Sequence, residues 1–207
     1  MTTANQRAYE AIRDLIVTTQ IRPGEMLNEV ALGQRLGLGR APVREAFKRL
    51  ASDRMVVVYP RRGTFAADIQ ISDERWLSEV RGPLEGLAAE LAARRRSKED
   101  VVELEKLLER LHDLVGQARE DTDLDAHVHR TIFRLSRNPH LESTLNQYLN
   151  LAMRIWYYCM DRLPDVGPHV AVQQEVLQAI IAGDADHART VASDHIHRFS
   201  EHVRDFL

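Results

Sequence analysis

Apolar positions recur at helical spacing along most of this chain and give way to a β-type pattern in one short stretch. Tyr9–Val17 has its apolar residues on a helical repeat and stops before Arg22-Pro23-Gly24-Glu25, which predicts a first helix closed by a turn. Asn28 is placed to cap a second helix over Glu29–Leu36, ended by Gly37-Leu38-Gly39, and Pro42 sits in the first turn of a third that runs to about Asp53. Met55-Val56-Val57-Val58-Tyr59, Pro60-Arg61-Arg62-Gly63 and Thr64-Phe65-Ala66-Ala67 then read as strand, turn and strand. Two short helices about a tight turn, followed by a small β-hairpin, predict a winged helix-turn-helix over residues 1–70.

From Ser72 onward the pattern is helical throughout. It predicts helices over Glu79–Arg95, Glu99–Gln117 with a capping box from Ser97 to Asp100, Thr122–Ser136, Pro139–Met160, His169–Ala182 and Asp186–Phe206. Asn138-Pro139, Leu163-Pro164 and Gly183-Asp184 punctuate them. The expected fold is therefore mainly α: the winged module, a short linker near Asp68–Ser72, and an all-α bundle of six or seven helices over residues 71–207.

Composition adds little until the chain is divided. The 207 residues carry a net charge of -3. Residues 1–67 hold eleven Lys/Arg against six Asp/Glu, a net of +5; the rest holds seventeen against twenty-five, a net of -8. All nine histidines fall between His112 and His202. A basic module and an acidic, histidine-bearing one attract different partners. The single cysteine, Cys159, excludes a disulfide framework or a multi-cysteine metal site. No apolar run approaches the roughly 20 residues of a membrane span, and the N-terminus lacks a signal-peptide pattern. We expect a cytoplasmic protein without membrane partners.

Three segments of the N-terminal part, Arg22-Pro23-Gly24-Glu25-Met26-Leu27-Asn28-Glu29, Leu38-Gly39-Arg40-Ala41-Pro42-Val43-Arg44-Glu45-Ala46 and Arg61-Arg62-Gly63-Thr64, resemble the winged-helix signature of GntR transcription factors. Arg81-Gly82-Pro83-Leu84-Glu85, Asp125-Ala126-His127-Val128-His129, Asn138, and Gly183-Asp184 with His195 resemble the helical effector (FCD) domain of that family's FadR branch. Thr19 stands where the family usually has glycine, and Gly39 where it usually has serine or threonine, which removes a hydroxyl that would cap the helix or touch a phosphate.

The residues themselves point the same way. Arg40 and Arg44 lie four apart at the start of the third helix, where an arginine fork matches the O6 and N7 acceptors of guanine in the major groove; Ala41 lies between them. Arg61 and Arg62 at the hairpin tip, with Gly63 allowing close approach, suit phosphates or the minor groove. Arg35 and Arg49 position or solvate the module. A palindromic operator on double-stranded DNA needs a two-fold protein, so a homodimer is expected, as the resemblance also implies.

Asp125 and His129, four apart on one helix, place a carboxylate and an imidazole on one face, either as a surface ion pair or as two ligands of a divalent metal. The resemblance implies that two more ligands come from the last two helices. His195 matches one, and Gln173 stands where the other is usually histidine. An amide oxygen is a weaker donor than imidazole to zinc or nickel, the ions first expected here, and shifts preference toward harder ions. A small organic acid effector needs positive charge, from the metal or from an arginine. Arg81 and Arg154 are the candidates, with Tyr158 among the aromatics that either wall a pocket or pack in the core. For Arg81 the alternative is an ion pair with Glu79 or Glu85.

The expected function is a DNA-binding transcriptional regulator, repressor or activator, whose operator affinity is set by a small carboxylate. The alternatives are a metal-free regulator sensing a larger acyl ligand, and a metal hydrolase using Asp125, His129 and His195 on a water. The sequence lacks Gly-x-Ser-x-Gly, a phosphate loop and His-Glu-x-x-His, and nothing supplies the enzyme reading with a clear general base or oxyanion donors.

Overall fold

The computed structural model describes residues 3–113, 118–159 and 167–205, with side chains for all of them except 113, 118–123, 167–170, 199 and 202–205. The expected helix ends at Gln117, Met160 and Phe206 lie outside these residues. The chain divides into two compact units, residues 1–71 with 150–161, and residues 72–149 with 162–207. The first boundary lies close to the one expected at 70/71. The grouping of 150–161 with the N-terminal residues was not anticipated.

In the first unit, α1 (Ala4–Val17) packs on α3 (Arg40–Ser52), with α2 (Glu29–Leu36) before it. Ala8, Ile12 and Ile16 on α1 and Val43, Ala46, Phe47 and Leu50 on α3 repeat every three or four residues, and all are buried, as an amphipathic helix pair requires. Asn28 caps α2 by accepting from the backbone of Val30 and Ala31. Gly39 precedes α3 without a side-chain cap, as its missing hydroxyl dictates.

The wing is larger than the expected hairpin. β2 (Val56–Tyr59) and β3 (Gly63–Ala66) pair antiparallel, and β1 (Met26–Leu27) adds a third strand on the far side of β3, in the order β1-β3-β2. Two residues are too few for an alternation to be seen in sequence; only pairing with Thr64 and Phe65 makes them a strand.

The second unit is helical among its described residues: α4 (Asp73–Arg95), α5 (Lys98–Asp113), α6 (Ala118–Leu135), the first half of α7 (Pro139–Cys159), α8 (Gly167–Ala182) and α9 (Ala185–Asp205). The capping box forms as expected, Ser97 and Asp100 exchanging backbone and side-chain bonds of 2.8 and 3.2 Å. α4 starts six residues before the expected Glu79, because the face it buries is not apolar. Glu74, Ser78, Arg81, Glu85 and Glu90 are inside, while Trp76 and Val80 are exposed. A Cβ on Gly86 would stand 2.9 Å from the Arg189 carbonyl, and one on Gly82 2.7 Å from His197 Nε2. These two glycines therefore let α9 lie against α4, which brings His195 toward α6.

Candidate functional site

On the first unit, Arg40, Ala41 and Arg44 at the start of α3 and Arg61, Arg62 and Gly63 at the wing tip are all exposed. Among the described residues Arg40, Arg61 and Arg62 form no ion pair. Arg44 is engaged: its guanidinium forks onto Glu29 of α2, Nε donating to Oε1 at 3.1 Å and Nη2 to Oε2 at 2.9 Å. Those hydrogen bonds hold the Glu29 carboxyl below its ordinary range. Sequence reading missed Glu29, because fifteen residues separate the pair and no helical spacing relates them. Arg35 reaches Gln20 at 3.3 Å. Arg49 stacks 3.7 Å above the Tyr9 ring and donates to Gln6 at 2.7 Å, joining α3 to α1.

The second unit gathers the expected sensor residues. Asp125, His129, Gln173 and His195, from α6, α8 and α9, are all at least nine-tenths buried. His129 and His195 stack with ring centres 5.8 Å apart. His129 Nε2 faces Asp125 Oδ1 at 3.6 Å, while its Nδ1 donates to Glu85 Oε2 at 2.6 Å. Glu85 accepts from Arg81 in turn, at 2.6 and 2.8 Å. Burial works against a charged Glu85, but Arg81 and His129 outweigh it and hold the carboxyl below its ordinary range. Burial would likewise lower His129, but the Glu85 and Asp125 carboxylates hold it above its ordinary value.

Gln173 Nε2 donates to Asp125 Oδ1, and its Oε1 is buried without a hydrogen-bond partner among the described residues. Beside these groups lies a cavity lined by His129, Gln173, His195, Val128, Ile132 and Val176, with Glu85 and Ala192. It leaves about 10 Å³ to the centre of a water-sized sphere, room for one ion or water.

The residues lining this cavity do not include Arg81, Arg154 or Tyr158. Arg81 is buried in its pair with Glu85, one link behind His129. Arg154 and Tyr158 belong to the other compact unit. There Arg154 donates to the Ala67 carbonyl, with burial lowering its pKa to about 10, and Tyr158 is half exposed.

Two family descriptions match this chain: "Bacterial regulatory proteins, gntR family" over residues 4–66, and "FCD domain" over residues 77–198. The chain belongs to the GntR family. An HTH-type regulator in an unstable DNA locus of Streptomyces ambofaciens is 30% identical, covering 91% of this chain and 80% of that protein. The HTH-type transcriptional repressor RspR of Escherichia coli is 26% identical, covering 97% and 89%. E. coli McbR/YncC shares the fold with a TM-score of 0.85 at 21% identity, over 99% of both chains. This GntR chain is thus a DNA-binding transcriptional regulator with an FCD effector domain. Among the described residues no helix is long and apolar enough to cross a membrane.

FCD domains hold a metal in some family members, and the residues here fit one. Asp125, His129 and His195 each bring one donor atom into a group no more than 4.8 Å across. Donors on one ion at about 2.0–2.2 Å stand roughly 3–4 Å apart, so a closure of about 1 Å would complete a three-ligand site. The partnerless Oε1 of Gln173, which lines the same cavity, is a fourth candidate donor and the second oxygen beside that of Asp125.

Proposed function

We propose that this protein is a cytoplasmic homodimeric regulator that binds a palindromic operator and changes its grip when a small carboxylate binds a divalent ion in its FCD domain. One observation carries the reading: the buried Asp125, His129 and His195 donors, within 4.8 Å of one another beside a cavity that takes an ion. When bound, a three-ligand divalent ion supplies a Lewis-acidic centre with open positions for a carboxylate. Arg81 and Arg154 are engaged by Glu85 and Ala67, so the positive charge facing the effector comes from that ion.

On the DNA side, residues 1–70 form the reading module and 71–207 the effector and dimerisation part. Arg40 and Arg44 face base edges with Ala41 between them, Arg61, Arg62 and Gly63 meet the backbone or minor groove, and Arg35 and Arg49 hold register. Effector and operator binding are coupled through two conformations that each ligand favours differently.

The test is operator binding by the full-length protein, its site found by selection from random duplexes, measured with and without chelator and a panel of di- and tricarboxylic acids. We expect an acid to change operator affinity by about 5–150-fold, the usual range of coupling, only when the ion is present and Asp125 and His129 are intact. An acid response unaffected by chelator and by Asp125→Ala would overturn the metal-borne reading. No preference for any duplex over random competitor would overturn the operator.

A further inference from the structure

The Gln173 amide donates to the Asp125 carboxylate. Gln173 is 2% exposed. A carboxylate can only accept, so the bond to Asp125 fixes the amide with its N–H side toward Asp125 and its oxygen away. The positive end of the amide dipole thus meets the Asp125 carboxylate as a bound cation would.

We propose that Gln173 is the specificity-determining residue of this site: its amide stands in for the cation on Asp125, so the site is stable empty, loads reversibly, and favours harder divalent ions over zinc. The proposal rests on the metal reading above and adds to it how tightly, and for which ion, the site binds. To ligate, the amide must turn over, giving up its bond to Asp125 and bringing Oε1 to the ion. That competition lowers affinity for every ion. The oxygen donor that results then penalises zinc, which prefers imidazole, more than manganese, which accepts carbonyl and carboxylate oxygen. The partnerless Oε1 is what such an exchange requires: in one orientation of the amide the nitrogen is bonded and the oxygen is not, and an ion reverses the two.

The experiment uses the full chain, stripped with chelator and desalted, as wild type, Gln173→His and Gln173→Ala. Zn²⁺ and Mn²⁺ affinities come from calorimetric titration, retained metal from elemental analysis after gel filtration, and melting temperatures are taken with and without each ion. We expect wild type to lose zinc on gel filtration, and Gln173→His to retain one zinc per chain with at least about tenfold tighter binding and a higher zinc-to-manganese preference. Gln173→Ala should melt below wild type without an ion, because the bond to Asp125 is gone, and should recover part of that difference with Mn²⁺, whose charge replaces the amide on Asp125. Wild type holding zinc as tightly as Gln173→His overturns the proposal, as does Gln173→Ala melting and responding like wild type. If neither ion stabilises any of the three proteins, the metal reading itself fails and the proposal falls with it.

Discussion

His129 Nδ1 donates to Glu85 Oε2 at 2.6 Å, and this bond decides which nitrogen of the ring faces the cluster. With Nδ1 committed, Nε2 is the atom directed at Asp125, and Arg81 behind Glu85 holds the acceptor in place. Glu85→Gln should therefore weaken Mn²⁺ binding by about 10–100-fold, the usual effect of losing such an orienting partner, in calorimetric titration. Glu85→Ala also strands the Arg81 charge and should cost about 3–5 kcal/mol in denaturant unfolding.

Arg44 is held before DNA arrives. Replacing it with alanine should cost roughly 1–3 kcal/mol of operator binding and relax base preference, whereas Arg62→Ala should weaken all duplexes alike and reduce the salt slope. Glu29→Gln releases the Arg44 fork and removes a negative charge from the binding face. It should raise affinity for random duplex and lower the ratio of operator to random binding in gel-shift titration at fixed salt. A ratio equal to wild type would show that the pair does not set specificity.

Tyr9 links folding to alkaline pH. Its hydroxyl donates to Asp53 at 2.7 Å, and burial, with that bond and the Asp53 charge, pushes its pKa up to about 12. The folded state then keeps a proton that the unfolded chain loses near pH 10, so stability is complete below about pH 10 and falls between about pH 10 and 12. The loss should reach about 2–3 kcal/mol. Tyr9→Phe should flatten that limb of the stability curve in urea unfolding across this window.

Gly82 and Gly86 differ in what a methyl would meet. At Gly86 the obstacle is the backbone carbonyl of Arg189, which cannot step aside; at Gly82 it is the end of the exposed His197 side chain, which can. Gly86→Ala should cost about 1–3 kcal/mol and, by displacing α9 and with it His195, weaken ion binding. Gly82→Ala should cost distinctly less in the same thermal and calorimetric measurements.

Much of this was open to the sequence because its causes are local. Asn28, the Ser97 and Asp100 pair and the β-branched run at Val56–Val58 specify caps and strands within a few residues, so their elements appear where expected. Asp125 and His129 were legible as a pair because helical geometry alone puts them on one face. The early start of α4 was not, since its buried face is built of glutamates, serine, arginine and small residues that no hydrophobic period marks.

Chain chemistry alone thus determined a basic winged module, a helical partner and most of the candidate ligand types. Only tertiary packing decided that Met26 and Leu27 become a strand, that Glu29 holds Arg44, that Glu85 takes both Arg81 and His129, and that Gln173 meets Asp125. Each of those contacts joins residues from different elements or depends on burial. At the buried ones, a charge or amide taken out of water is costly unless it finds a partner, and which partners are at hand is set by the packed structure.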